Sequence, residues 1–182
     1  MKNIFLLFTG FILLSSLTSC KKDRLEDYFV KASENPDFFV MSLPASAIEI
    51  DKSKLDKETL SQIESVKKIN LLLYKKEDAK NTENEEYKKV EEILNHPDYK
   101  KLLEIKNEGR QLEFLYQGEP QSIHKITFLG RDANGDFVLG LVKAKHLSID
   151  ALVKAMEHVK RVDNHHITEF IDTYGKHSKK IK

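Results

Sequence analysis

Apolar residues recur along this chain in two rhythms, and the rhythm changes near Gly109. Before it, the spacing is mostly helical. Leu25, Tyr28, Phe29 and Ala32 fall at i, i+3, i+4 and i+7, which predicts a short helix stopped by Asn35-Pro36. Phe38 to Leu43 is apolar apart from Ser42 and ends at Pro44, which suits a buried strand. Ser53-Lys54-Leu55-Asp56 reads as a helix start, followed by Leu55, Leu60, Ile63 and Val66 on one face. Ile69 to Tyr74 is a second apolar run. Strand, helix and strand at this spacing predict a βαβ unit with parallel neighbours and a right-handed crossover. After a polar stretch from Lys75 to Glu86, Tyr87, Val90 and Ile93 or Leu94 predict a helix, interrupted by Asn95-His96-Pro97. Tyr99, Leu102, Leu103 and Ile105 then predict a second helical stretch closing at Gly109.

From there the pattern alternates. Leu112, Phe114 and Tyr116 share one face of a strand, and Gly118-Glu119-Pro120 turns the chain. Ile123, His124 and Ile126 to Leu129 predict the next strand. Asn134-Gly135 is the strongest hairpin signal present, because both central positions of a tight turn need positive φ. Phe137 to Val142 returns, completing a three-stranded antiparallel meander. Ser148 is placed to cap a helix whose stripe is Leu152, Ala155, Met156 and Val159, with Leu147 and Leu152 as a hydrophobic staple. A last helix carries Ile167, Phe170, Ile171 and Tyr174, stops at Gly175, and leaves a basic tail at 175–182. The expected fold is α+β: one domain over 37–174 with a mixed sheet of about five strands and helices on one face.

The first residues follow a different logic. Lys2 supplies a positive start, Ile4 to Leu14 is an apolar run broken by Thr9 and Gly10, and small polar residues lead to Cys20. This is the layout of a secretory signal, too short to span a bilayer that needs ~20 helical residues. Leu17-Thr18-Ser19-Cys20 resembles the lipobox of bacterial lipoproteins. The resemblance implies cleavage between Ser19 and Cys20, a thioether-linked diacylglycerol on Cys20 and an acylated new amino terminus. A chance cysteine behind an ordinary signal is the alternative. It fits poorly, because Cys20 is the only cysteine and exported proteins use theirs in pairs. The boundaries expected are therefore a signal peptide at 1–19 and a lipidated tether with a short helix at 20–36. Lys21-Lys22-Asp23-Arg24 is a charged start to the mature chain and also reads as a basic linker near anionic lipid.

Composition adds exclusions. Removing 1–19 leaves 163 of the 182 residues, enough for one domain with a normal core. It also removes Lys2, so the formal charge falls from +1 to zero. A nucleic-acid partner would require a strong basic excess and is not expected. With no second cysteine, packing alone must hold the fold.

Several stretches carry a family resemblance. They are Phe38-Phe39-Val40-Met41-Ser42-Leu43, then Val66-Lys67-Lys68-Ile69-Asn70-Leu71-Leu72-Leu73, the hairpin Ile126-Thr127-Phe128-Leu129 with Phe137-Val138-Leu139, and Ser148-Ile149-Asp150-Ala151-Leu152. Together they resemble the small bacterial lipoproteins grouped as domain-of-unknown-function family 4252, over roughly residues 25–162. These are core patterns, so the resemblance implies a fold and no catalytic residue. One departure is Ala144, where relatives tend to have Gly and the turn would differ.

Candidate chemistry is thin. His165, His166 and Glu169 are the best metal cluster, since His165 and Glu169 would lie one helical turn apart, with His158 or His177 as a third ligand. The same residues also make an ordinary polar face opposite Ile167, Phe170 and Ile171. Asp132-Ala133-Asn134-Gly135-Asp136 resembles the start of a calcium loop, but Gly135 precedes Asp136 and position twelve is Lys143. No nucleophile elbow, His-Glu-x-x-His or glycine-rich phosphate loop occurs. The expectation is a non-enzymatic envelope protein, most simply in the outer membrane. It would need no cofactor beyond the lipid on Cys20 and would bind the membrane and another envelope protein. A small-ligand or metal-binding lipoprotein is the alternative.

Overall fold

The computed structural model describes residues 24–75, 85–133 and 135–162. In chain order the elements are α1 (Arg24–Ser33), β1 (Phe38–Pro44), β2 (Ile48–Ile50), α2 (Lys57–Glu64), β3 (Lys68–Tyr74), α3 (Glu85–Leu94), β4 (Lys100–Asn107), β5 (Arg110–Glu119), β6 (Ser122–Arg131), β7 (Phe137–Leu147), α4 (Ile149–Glu157) and β8 (Val159–Val162). Six strands form one sheet in the order β1-β3-β7-β6-β5-β4, and β2 pairs with β8 in a second. The fold is α+β, and every pairing is antiparallel.

The mixed sheet and its parallel βαβ unit are therefore corrected. β1 and β3 are direct neighbours with Phe38 opposite Tyr74 and Pro44 opposite Lys68. The connection between them begins and ends side by side, because the Ala45 N–H donates to the Lys67 carbonyl at 3.0 Å. A strand that leaves and a strand that enters at the same end must run antiparallel. Two 3-10 turns and the short β2 fold the connection back on itself and make this possible. Hydrophobic spacing says nothing about strand direction.

The helix start also moves. Asp56, rather than Ser53, caps α2, accepting from the Thr59 N–H at 2.7 Å. Ser53 lies in a 3-10 turn where Asp51 accepts its N–H.

The second helical stretch after Pro97 is a strand. β4 extends the meander to four strands, and Glu108-Gly109 is its hairpin turn, with both residues at positive φ (48° and 77°). Gly109 thus ends a strand pair, not a helix. At the other end β7 runs through Ala144 to Leu147, so no turn begins at Ala144.

α4 begins as expected, with the Ser148 hydroxyl accepting the Ala151 N–H at 3.1 Å. It closes at His158, after which the chain becomes β8. Met156 and Val159 consequently stay outside the core, at 56% and 39% exposure. The helix expected at Ile167 to Tyr174 and the basic tail lie outside the described residues, as do the expected signal and Cys20.

Helices cover both faces rather than one. On the first face, Leu25, Phe29 and Ala32 of α1 and Tyr87, Val90, Ile93 and Leu94 of α3 pack on Leu72, Leu115, Leu129, Leu139 and Leu141. On the second, Ile63, Val66, Ala151 and Leu152 from the α2 and α4 segments close over Tyr116, Ile126 and Val142. Leu43, Ala47 and Leu71 form a third cluster on that face with Phe128 against it.

Candidate functional site

The residues singled out from the sequence part company here. Ser19, Cys20, His165, His166, Glu169 and His177 all lie outside the described residues. His158 closes α4: its N–H donates to Ala155 at 3.1 Å and its carbonyl accepts from the Asp51 N–H at 2.8 Å. Asp132 holds the β6–β7 turn, its carboxylate accepting the Asp136 N–H at 3.0 Å while its own N–H donates to the Asp136 carbonyl. That is hairpin bonding. Among the described residues no group of three His, Cys, Asp or Glu side chains is placed to hold a metal.

Three surface features remain. The first is a cleft of about 320 Å³ between the end of α3 and the β4–β5 hairpin. Glu91, His96, Tyr99, Lys101, Glu104, Gln111 and Glu113 contribute its polar lining. Its charges engage one another. Lys101 bridges Glu104 and Glu113, Lys106 meets Glu104 at 2.8 Å, and the Gln111 amide donates to Glu104 at 3.1 Å. In the His96-Pro97 loop the Asp98 N–H and carboxylate both lie 3.3 Å from His96 Nδ1. The neutral ring accepts from the first, and the imidazolium donates to the second. Behind the cleft the Arg131 guanidinium stacks over Tyr87 at 4.7 Å. Burial, then the Glu91 charge, pushes the Tyr87 hydroxyl up to about 12, so it stays protonated and cannot serve as a base. The arrangement can hold a small polar ligand, and no nucleophile with an adjacent base lines it.

The second feature is the β4 edge. β4 ends the six-strand order, and Leu103 and Ile105 stand 44% and 49% exposed on it. Lys100, Lys101 and Lys106 punctuate the same strand. Edge lysines oppose self-pairing of strands.

The third feature joins α1 to the sheet. Glu26 places one carboxylate oxygen 2.7 Å from Lys125 Nζ and the other 2.6 Å from Lys143 Nζ. Lys125 and Lys143 sit directly opposite each other on β6 and β7, where like charges would repel. Glu26 relieves that repulsion. Burial raises its carboxyl pKa, but hydrogen bonds and charge from the two lysines outweigh burial and hold it below the usual range. A lowered folded pKa means stability that is full above the unfolded value and lost as pH falls through the folded one. Acid should therefore loosen α1 below about pH 4.5, the ordinary carboxyl value. Urea titrations at stepwise lower pH should show Glu26→Gln destabilised at neutral pH and less acid-sensitive than the native chain. Parallel acid limbs in the two proteins would contradict this.

Sequence reasoning missed the lysine pair, although a signal existed. The β6–β7 hairpin puts Arg131 opposite Phe137, and the same register continued along the strands meets Lys125 with Lys143. Glu26, 117 residues from Lys143, left no trace in the sequence.

These features define a small antiparallel α+β domain with helices on both sheet faces, a charged clamp under its first helix and an exposed edge strand. A family model described as "Domain of unknown function (DUF4252)" matches residues 28–155, from within α1 into α4. The chain belongs to the DUF4252 family. No curated protein and no solved structure is significantly similar to it.

Proposed function

We propose that this DUF4252 protein is a lipid-anchored component of the cell envelope, held through Cys20 in the outer membrane. It acts as a non-enzymatic interaction module that binds another envelope protein. The observation behind the interaction is the β4 edge. Leu103 and Ile105 offer apolar footholds beside the outward hydrogen-bonding row of an end strand, the arrangement used in strand addition. The partner chemistry that fits is an extended segment with apolar side chains alternating with polar ones. The lysines on β4 discourage two copies from pairing with each other. The anchor rests on Leu17-Thr18-Ser19-Cys20 and on the absence of any other cysteine from the sequence.

A photo-crosslinking residue at position 105, introduced in intact cells, should give one reproducible protein adduct. The same group at Lys57 of α2 should not, and Leu103→Glu should remove the adduct formed from position 105. No adduct from position 105, or equal adducts from both sites, would sink the proposal. The cleft beside Tyr99 favours a second reading, a small-ligand lipoprotein. Native mass spectrometry of protein purified from its own cells would show a bound ligand that disappears in Tyr99→Ala.

A further inference from the structure

We infer that the end of the sheet carrying Arg24, Lys68, Lys125 and Lys143 lies against the membrane and binds the phosphate headgroups of anionic phospholipid. This rests on the proposed anchor at Cys20 and specifies how the domain stands on it.

Chain length sets how far the domain can stand from the lipid. α1 begins at Arg24, and the four steps from Cys20 to Arg24 span at most ~14 Å even if fully extended. Whatever contacts the N-terminus of α1 is therefore held near the lipid. That contact is known: Glu26 touches Lys125 and Lys143.

Charge points the same way. Lys125 and Lys143 face each other across β6 and β7. Ile69 of β3 lies opposite Val142, so Lys68, one residue before it, comes beside Lys143, one residue after. Three lysines thus form a row across three adjacent strands on the face that α1 covers. Lys68 and Arg24 are exposed, Lys143 is half-exposed, and Lys125, 17% exposed, completes the row from behind Glu26. Glu26 of α1 shares its one carboxylate between Lys125 and Lys143. A row of like charges on neighbouring strands is unfavourable in isolation. It becomes favourable beside a surface of phosphates, where each basic residue adds attraction. The opposite end of the sheet is mixed, since Asp37, Glu108, Asp132 and Asp136 stand there among Lys106, Arg110 and Arg131.

The lone native cysteine makes the test clean, because lipidated Cys20 would not react with a thiol label. Mature lipidated protein is reconstituted in phosphatidylcholine vesicles with or without phosphatidylglycerol. It carries one labelled cysteine at either Lys145, at the basic end, or Asn107, in the far hairpin. A headgroup-attached quencher reports proximity. In phosphatidylglycerol vesicles the label at 145 should be quenched several-fold more than the label at 107. The ratio should fall to the phosphatidylcholine value in R24E/K68E, which leaves the Glu26 clamp in place. Equal quenching at both positions, or a ratio unmoved by the charge reversals, would overturn the inference and leave the anchor standing. Protein that fails to float with vesicles of either composition would overturn the anchor and this inference together.

Discussion

Gly140→Ala is expected to destabilise the fold by roughly 3 kcal/mol, the upper part of the range for overpacking a well-filled site. For a domain of this size the midpoint of thermal unfolding should fall by about 6–12 °C. The cause is local and steric. Gly140 lies in the middle of β7 with Leu71 on one side and Phe128 on the other. The Phe128 ring folds over it, so an alanine Cβ would collide with Cδ1, Cε1 and Cζ of that ring. The ring cannot simply swing away. It tilts against Phe114 with centroids 6.0 Å apart and packs on the cluster of Leu43, Ala47 and Leu71. An aromatic side chain lying across a strand glycine is a known device for fixing register. Phe128→Leu should cost stability alone but relieve much of the alanine penalty, giving a strongly non-additive double-mutant cycle. Additive effects, or a neutral Gly140→Ala, would mean the ring does not occupy this position in solution.

Cys20→Ser should have the largest effect on behaviour and almost none on folding. Position 20 precedes the family-matched residues 28–155, so the unfolding midpoint should not move. The hold that lipid gives on the membrane, in contrast, should be lost. Each buried methylene of an acyl chain contributes roughly 0.8 kcal/mol, so two or three chains hold a protein firmly, and without them only the uncleaved apolar run of residues 1–19 remains as a hold. Fatty-acid labelling should vanish and the precursor should retain residues 1–19. A variant that stays labelled and membrane-bound would show that another residue carries the anchor.

Legibility from sequence followed the range of the interaction. Local signals were readable. The Ser148 cap, the alternation of Leu112, Phe114 and Tyr116, and the β6–β7 hairpin each depend on a few adjacent residues. β4 was misread because Tyr99, Leu102 and Leu103 fit a helical stripe as well as Leu103 and Ile105 fit a strand. The feature that decides it, the hairpin at Glu108-Gly109, is hidden because glutamate seldom adopts positive φ. The antiparallel return of β3 depends on how a 23-residue connection folds back, set by contacts such as Ala45 with Lys67 rather than by periodicity. The candidate sites followed the same rule. Leu17-Thr18-Ser19-Cys20 is four consecutive residues, so its resemblance to a lipobox needs no fold to be seen. The Glu26 clamp and the Tyr99 cleft join elements far apart in sequence and needed the fold.

The central claim, that this DUF4252 domain is held to its membrane by lipid on Cys20, has a direct test. Protein extracted from the membrane fraction is digested after glutamate, and the amino-terminal peptide ending at Glu26 is weighed. The account predicts a peptide that begins at Cys20 and carries a diacylglyceryl group on sulfur and an acyl chain on the amine. A peptide beginning elsewhere, or one with Cys20 as a free thiol, would contradict it.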